Sequence, residues 1–463
     1  MGIAEAGTSP SDVASPRPGG PPSTARPGVG KRNVSFLPKY DDCNGWYNIL
    51  PPPPPAREVT GDQTADWLVV GAGFTGLSAA RRLAEHFPAN RVALVEADRV
   101  GRGASGRNAG FAIDLPFIRE AHGDVEHGRR LLRLHRAGVA ELERLVEEHA
   151  IECQWSHRGK YMVAVGDQAC RALEETRDFL EGIGEPSEVL DRDALKQRLG
   201  TGFYRQALYS PGTRLMNPAA LTRGLAASLP ANVDLYEASA ITAIRFGHEI
   251  VARTKRGKIR APRVILATNG FTEAFGVMRR RIFNIMSFAS LTRPLAQTEL
   301  LGGTPDWGVH PVGPPGATIR HTQDSRIWFR TGLIYARNIS CGPERLDRFR
   351  RLHIEKFKAR FPQLGEPQFE HTYGGGLCLS RNSEPVFQRH ADNVFVAACQ
   401  NGTGVAKGTI HGRLIADWAA GVESELLAFT RAYGEPNRIP AEPFLGWGVS
   451  LRLALESWNG RME

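Results

Sequence analysis

The pattern of apolar and polar residues predicts a strand, a helix and a second strand near residue 67. The apolar run Trp67–Val70 is short and β-branched enough for a buried strand, and Leu77, Ala80 and Ala84 follow at helical spacing. A second apolar run, Val92–Val95, predicts another buried strand. These three elements together form a βαβ unit, and the folded part is expected to start near residue 64.

The same pattern predicts further helices and strands along the rest of the chain. The predicted helices cover 131–149, 171–182, 217–229 and 346–361, and a last helix ends at 420. The predicted strands cover 161–165, 208–209, 233–246, 249–254, 258–267, 285–291, 317–321, 326–330 and 393–398.

A glycine-rich turn joins the first strand to the first helix. Gly71, Gly73 and Gly76 have the G-x-G-x-x-G spacing, in which the first glycine permits the tight turn. The second lets a pyrophosphate approach the backbone, and the third lets helix and strand pack closely. Glu96 ends the second strand, where its carboxylate can accept both hydroxyls of an adenosine ribose and would repel the 2′-phosphate of NADP. The set predicts dinucleotide binding, and a glycine turn in an ordinary βαβ unit is the alternative.

Composition and charge place the chain among ordinary globular proteins. It has 463 residues, enough for two or three domains, and a formal net charge of +9. Lys and Arg are scattered, so a solvated basic surface is expected rather than a nucleic-acid site. The six cysteines show no C-x-x-C spacing, which favours a reduced, cytoplasmic protein and no metal site. No apolar run approaches the roughly 20 residues of a membrane span.

The first 63 residues differ in composition from the rest. Residues 1–33 are rich in Pro, Gly, Ser and Ala, which predicts a disordered tail. Residues 34–63 contain aromatic residues around Trp46 and then five prolines, Pro51 to Pro55. They predict an extended arm lying on the globular body, or else more linker.

Three segments together resemble the D-amino-acid oxidase superfamily: the glycine turn, GRGASGRNAG at 101–110 and AACQNGTGVAKG at 397–408. The likeness is closer to the branch of glycine/sarcosine oxidases and γ-glutamylputrescine oxidoreductases, and covers about residues 44–421. It implies an α/β fold in which a Rossmann-like FAD-binding domain is interleaved with an α+β substrate domain built on an antiparallel sheet. The expected division is 64–150, 203–275 and 371–430 for the FAD-binding domain, 151–202 and 276–370 for the substrate domain, and 431–463 as a C-terminal extension.

The resemblance also implies which residues hold FAD. They are Gly71, Gly73, Phe74, Thr75, Gly76, Glu96, Gly103, Ala104, Ser105, Arg107, Asn108, Ala109, Ile241, Ala267, Thr268, Asn269, Gly402, Thr403, Gly404 and Val405. Relatives with a cysteinyl flavin carry the cysteine at the position of Gly375. Cys378 is displaced from it by three residues, so non-covalent FAD is expected and Cys378 is interpreted as a small buried apolar residue.

The chemistry implied is oxidation of the C–N bond of an amine or amino acid. Hydride passes to flavin N5, the imine hydrolyses, and O2 (giving H2O2) or another electron carrier is the acceptor. Lys407, in the first turn of the last helix, could add a cation beside the flavin or point to solvent, and solvent is the preferred interpretation. No catalytic residue is assigned.

A carboxylated substrate would need a cation, for which arginine is best suited. Arg293, Arg320, Arg330 and Arg381 are the candidates, and Tyr161, Tyr373, His321 and His371 could line the same pocket. Arg320 and His321 are adjacent in a predicted strand and should face opposite sides. A small amino acid or an acylated or carboxylated amine is therefore favoured over a free polyamine. The alternatives are a flavoprotein that modifies a tRNA base and a scaffold that keeps FAD for structure.

Overall fold

The computed structural model describes residues 30–39, 43–297, 299, 301, 303, 305–313 and 316–459. Its strands in chain order are β1 Gly30–Asn33, β2 Gly61–Thr64, β3 Trp67–Val70, β4 Val92–Val95, β5 Phe111–Ala112, β6 Lys160–Ala164, β7 Glu188–Asp191, β8 Gln206–Ser210, β9 Arg214–Leu215, β10 Val233–Tyr236, β11 Ala243–Phe246, β12 Ile250–Arg253, β13 Gly257–Ala261, β14 Arg263–Leu266, β15 Ile282–Thr292, β16 Trp307–Pro311, β17 Thr318–His321, β18 Ile327–Tyr335, β19 Phe369–Ser380, β20 Val386–Ala391 and β21 Val394–Ala398.

The α-helices in chain order are α1 Gly45–Asn48, α2 Phe74–His86, α3 Ala104–Arg107, α4 Val125–Glu148, α5 Asp167–Gly182, α6 Arg192–Leu199, α7 Pro218–Ala227, α8 Pro343–Arg360, α9 Ala406–Ala420, α10 Glu425–Arg431 and α11 Phe444–Asn459. Short 3-10 helices cover Asn269–Phe275 and Pro362–Leu364.

The predicted βαβ unit lies in the middle of a parallel sheet. Within the described residues this sheet has the strand order β10-β4-β3-β14-β21-β20, and only β20 is antiparallel to its neighbour. β3 and β4 are buried along their whole length; α2 packs on both strands, and β13 of a second sheet contacts β3. This confirms the predicted Rossmann-like α/β fold.

The N-terminal arm is part of a second sheet, of order β1-β11-β12-β13-β2 in the described part of the chain. Residues 1–29 of the predicted disordered tail lie outside the described residues, but Gly30–Asn33 pair with β11, so that prediction extends too far. In the predicted arm, β2 pairs with β13 and α1 buries Trp46 completely. Trp46 and β2 therefore pack on the body, and this part of the chain includes regular structure.

The substrate side is built on a larger sheet, of order β19-β15-β18-β17-β16-β6-β8-β7 among the described residues. It is antiparallel except where β16 runs parallel to β6. β8 and β19 belong to this sheet, although the predicted boundaries put residues 203–275 and 371–430 in the FAD-binding domain. Alternation of apolar residues predicts a strand but not the sheet that the strand joins. For this reason the predicted boundaries put β8 and β19 with the FAD-binding domain.

Two helices end the described part of the chain, and of these α11 lies in the predicted C-terminal extension, 431–463. α10 packs on α9, and α11 lies against β18 of the large sheet. Over the described residues, no helix combines the length and the apolar character needed to cross a bilayer.

Candidate functional site

A cavity of about 1370 Å³ lies where residues of the parallel sheet and of the eight-stranded sheet meet. It exceeds the roughly 300–1,000 Å³ of a usual small-molecule pocket, so it has room for a large ligand together with a smaller one. All but two of the residues assigned to FAD by resemblance line it. The two exceptions are Gly76, which packs α2 against the turn, and Thr403, whose hydroxyl donates to the Gln400 carbonyl at 3.0 Å.

The glycine turn requires its glycines for steric reasons. Gly71 has φ +97°, and a Cβ there would lie 2.7 Å from the Ala267 carbonyl oxygen. A Cβ at Gly76 would lie 1.7 Å from the Gly71 carbonyl oxygen. The Phe74 amide donates to the Ser105 hydroxyl at 3.1 Å, which joins this turn to the second glycine-rich loop. The backbone is thus held open toward the cavity at the start of α2.

Glu96 is fixed at the end of β4 by backbone amides. Its Oε2 accepts from the Ala72 amide at 2.8 Å and its Oε1 from the Asp98 amide at 3.2 Å. Burial raises the pKa of this carboxyl, against the lowering effect of the two amide hydrogen bonds. The side chain lines the cavity beside the glycine turn, where it can accept from hydroxyl groups of a ligand.

The second loop, 101–110, is stabilised by hydrogen bonds within the loop and by contacts with the N-terminal arm. Asn108 accepts from the Gly110 amide at 2.8 Å and donates to the Ser105 carbonyl at 2.7 Å. Trp46 donates from its indole N–H to the Asn108 carbonyl at 2.9 Å. Arg107 donates to the Gly374 carbonyl at 2.9 Å, which ties the loop to β19. Trp46 was not assigned to the site from sequence, although its arm was predicted to lie on the body.

The segment after β14 and the loop after β21 are joined at the opposite wall. Asn269 accepts from the Cys399 amide at 3.0 Å, and Asn401 accepts from the Ser380 amide at 2.9 Å. Neither the amide nitrogen nor the oxygen of the Gln400 side chain has a hydrogen-bond partner among the described residues, although both atoms are buried at the cavity wall. A buried amide without partners is expected to bind a ligand.

Cys378 is 2% exposed and lies in the cavity wall beside Cys399. A hydrogen bond with Cys399, followed by burial, raises the pKa of the Cys378 thiol well above its ordinary value. A thiol with a raised pKa is a weak nucleophile, because the thiolate is the reactive form.

Two of the eight predicted substrate residues line the cavity. Arg330 projects from β18, and its only hydrogen bond among the described residues is with the Thr318 hydroxyl, at 3.5 Å. Burial alone lowers its pKa to about 10, so it stays charged at neutral pH. Arg381 lies at the exposed rim.

The structure places the other predicted substrate residues outside the cavity. Arg293 forms an ion pair with Glu299 at 2.7 Å, and the imidazole of His371 lies 3.8 Å from the Cys43 sulfur. Tyr161 packs on Tyr209, with ring centroids 5.0 Å apart.

Arg320, His321 and Tyr373 also have structural contacts instead. Arg320 is fully buried and donates to the Gly110 carbonyl at 2.5 Å, so it supports the second loop from behind. His321 faces the other side of the strand and packs on Trp307, with ring centroids 5.6 Å apart, as the alternation predicted. Tyr373 accepts from the Trp328 indole at 2.7 Å.

The interpretation from sequence that Lys407 points to solvent is wrong. Lys407 is 1% exposed and its ammonium pairs with Glu120, which also contacts His135 Nε2 at 3.3 Å. It therefore neither points to solvent nor lines the cavity. Sequence spacing placed it in the first turn of α9 but could not show that α4 covers that turn.

Sequence reasoning missed several cavity residues, among them Lys160 and His310. Both project from strands of the large sheet, and neither stands in a motif. Helix α11 was missed as well, and its residues Leu445, Gly448 and Val449 line the cavity mouth. Its apolar residues at helical spacing were the available signal.

Comparison with known proteins agrees with this geometry. Residues 66–418 match the family described as FAD dependent oxidoreductase (DAO). The chain is similar to the γ-glutamylputrescine oxidoreductase of Escherichia coli, with 28% identity over 84% of this chain and 90% of that protein. It is also similar to the probable oxidoreductase OrdL of Haemophilus influenzae, with 26% identity over 81% of this chain and 87% of that protein.

Solved structures show the same fold. The glycine oxidase of Geobacillus kaustophilus aligns with a TM-score of 0.67 and 21% identity, over 82% of this chain and all of that one. The L-proline dehydrogenase of P. horikoshii aligns with a TM-score of 0.63 and 18% identity, over 80% of this chain and 96% of that one. The predicted family resemblance is confirmed.

Proposed function

This chain belongs to the FAD dependent oxidoreductase family, and we propose that it oxidises the C–N bond of a carboxylated amine or amino acid. The observation that carries the proposal is Arg330, a charged guanidinium in the cavity with no carboxylate partner among the described residues. A guanidinium presents paired donors that match a carboxylate, so an unpaired one in a cavity suits that ligand. The relatives named γ-glutamylputrescine oxidoreductase and glycine oxidase support the choice of an amine or amino acid.

The residues of the cavity fit FAD. Gly71 and Gly73 leave the backbone bare at the start of α2, where free amides and the helix dipole favour a pyrophosphate. Glu96 can accept from the ribose hydroxyls, and the amide of Gln400 has no other partner. We propose that the FAD is held non-covalently, since Cys378, whose thiol pKa is raised, is the one cysteine that lines the cavity in the described part of the chain.

The protein's own part in the reaction is to bind, orient and exclude water. Bound FAD supplies a hydride acceptor at N5 for the carbon beside the substrate nitrogen, and water then hydrolyses the resulting imine to a carbonyl compound and an amine or ammonia. Arg330 fixes the carboxylate end of the substrate, and α11 contributes residues to the cavity wall. Anchoring the carboxylate in one place would hold the reacting carbon in one position relative to the hydride acceptor.

The first experiment is to purify the protein, record its visible spectrum and add amines without oxygen. We expect a yellow protein that is bleached by N-methylglycine or another carboxylated amine, and bleached far more slowly by the matching amine without its carboxylate. Precipitation with acid should release all the colour. Admitting oxygen to the bleached protein then identifies the acceptor, since peroxide forms only if O2 serves. A protein that stays yellow with every amine would overturn the proposal.

A further inference from the structure

Lys160, like Arg330, is a cation that lines the cavity and forms no ion pair among the described residues. Its side chain is 2% exposed and lines the cavity, with the ammonium 5.5 Å from the centre of the Phe117 ring. Among the described residues it has no hydrogen bond and no ion pair. An ammonium buried without a partner is costly, so a lysine kept in such a place is expected to meet an anion from outside the chain.

The register of the large sheet puts Lys160 and Arg330 on the same face. Arg330 pairs with Thr318 across β18 and β17. Val309 pairs with Ile319, so His310, one residue further, lies on the same face as Thr318. His310 pairs with Met162 across β16 and β6, and Lys160 is two residues from Met162. All five side chains line the cavity, so the sheet face is its floor.

No carboxylate near this floor forms an ion pair with Lys160 or Arg330 among the described residues. Asp114 raises the pKa of Lys160, but its Oδ1 accepts from the Thr213 hydroxyl at 2.9 Å and it forms no ion pair with Lys160. Of the carboxylates that line the cavity, Glu96 is held by backbone amides, while Glu175 and Glu456 lie at least partly exposed. In the described part of the chain, the floor therefore carries two cations without an ion pair at neutral pH, and Asp114 offsets the charge of Lys160 only in part. Burial lowers the pKa of Lys160 only to about 8.

His310 lies on β16, between the strands that carry Arg330 and Lys160. Its Nε2 is buried without a partner in the part of the chain that the structure describes, and its ring contacts Phe117 edge-on. Burial first, and then the charges of Lys160 and Arg330, lower its pKa to about 3, so the ring is neutral. Its Nδ1 donates to the Pro311 carbonyl at 3.1 Å, which leaves Nε2 as a hydrogen-bond acceptor facing the cavity. Neighbouring strands are about 4.8 Å apart, so the backbones of β18 and β6 are separated by roughly 14 Å. Two charges that far apart suit two groups at different ends of one ligand.

We propose that the substrate carries two anionic groups, one bound by Arg330 and the other by Lys160. The inference rests on the proposed function and narrows it. The substrate class is an amine dicarboxylate, either an acidic amino acid or an amine bearing two carboxyalkyl arms. The pyrophosphate of FAD is assigned to the glycine turn on the parallel sheet, and Lys160 lies on the other sheet.

The test compares anaerobic flavin reduction by a dicarboxylate, N-methylglutamate, with reduction by the matched monocarboxylate, N-methylnorvaline. The wild type should have a kcat/KM at least about tenfold higher for the dicarboxylate, and Lys160→Met should lower the kcat/KM of the dicarboxylate far more than that of the monocarboxylate, so that the preference is lost. Lys160→Arg, which keeps the charge, should keep the preference. Lys258→Met is the matched control, because Lys258 pairs with Asp62 at the surface.

A second readout needs no turnover. Glutarate should perturb the flavin spectrum of the wild type at lower concentration than butyrate, and Lys160→Met should bring the two concentrations together. Equal rates for dicarboxylates and monocarboxylates in the wild type would overturn this inference and leave the proposed function standing. So would a Lys160→Met variant that slows every substrate equally. If no amine reduces the flavin at all, it is the proposed function that fails.

Discussion

The indole N–H of Trp46 donates to the backbone carbonyl of Asn108 at 2.9 Å, which joins the N-terminal arm to a loop that lines the cavity. Trp46 is fully buried and stacks on Trp328 with ring centroids 6.0 Å apart. Asn44 in the same arm donates to the Gly101 and Gly106 carbonyls at 3.2 and 3.1 Å. The arm thus supports both ends of that loop and is part of the site.

Replacing Trp46 with phenylalanine should weaken flavin retention. The substitution leaves the Asn108 carbonyl buried without its donor, which costs about 1–3 kcal/mol, and the loop 101–110 loses one of its anchors. Thermal denaturation and the ratio of flavin to protein after gel filtration measure the effect. Tyr47→Phe is the control, since no hydrogen bond of the Tyr47 hydroxyl is found among the described residues. Equal flavin content in Trp46→Phe and wild type would show that the arm does not support the loop.

Gly71→Ala should yield folded protein without flavin. The new methyl group would lie 2.7 Å from the Ala267 carbonyl oxygen, and the φ of +97° disfavours any side chain. We expect the dissociation constant for FAD to rise at least about tenfold, which corresponds to about 1.4 kcal/mol. Titration of the apoprotein with FAD measures it. Gly202→Ala, at a position where a Cβ meets open space, should leave binding unchanged.

The difference between these glycines and Lys160 shows what sequence can predict. The glycine turn, Glu96 and the second loop are each defined by neighbours in the chain, so their residues could be named beforehand. Lys160 and His310 depend on the register of β6, β16, β17 and β18, which no local pattern reveals. For the same reason Arg293 and Arg330 could not be told apart from sequence, although one is at the surface and the other in the cavity.

Lys160→Met should stabilise the protein near pH 7 and lose that advantage at high pH. The pKa of Lys160 falls from its usual 10.5 to about 8 on folding, so between these values the unfolded chain binds more protons than the folded one. The stability of the wild type therefore rises relative to the variant from pH 8 to 10.5. Below pH 8 the free energy of unfolding of Lys160→Met is expected to exceed that of the wild type by up to about 3 kcal/mol. Urea unfolding without added ligand, at pH 7 and pH 10.5, measures the change, and a gain of equal size at both values would contradict it.

Glu120→Gln should destabilise the protein by about 3–5 kcal/mol near neutral pH, because it leaves the Lys407 ammonium buried without its partner. Burial opposes ionisation of Glu120, but the charges of Lys407 and His135 overcome it and hold the pKa of the carboxyl well below its usual value. The contribution is therefore present above pH 4.5 and is lost as the pH falls toward the lower pKa of the folded state.

Thermal denaturation of Glu120→Gln and wild type from pH 7 to pH 3 tests this, and the difference between them should shrink only below pH 4.5. The double variant Glu120→Leu with Lys407→Met removes both charges and should recover most of the lost stability. Glu423→Gln, an exposed partner of Arg431, is the control. An unchanged melting temperature in Glu120→Gln would refute the assigned role of the pair.

The most direct test of the account is the anaerobic reduction of the flavin in wild type, Arg330→Met and the control Arg198→Met, whose arginine pairs with Glu188 at the surface. Each is mixed with one carboxylated amine and with the same amine lacking the carboxylate. The account predicts that Arg330→Met raises the half-saturating concentration of the carboxylated amine at least about tenfold, and leaves that of the other amine unchanged. Identical values for the carboxylated amine in Arg330→Met and wild type, both retaining flavin, would contradict it.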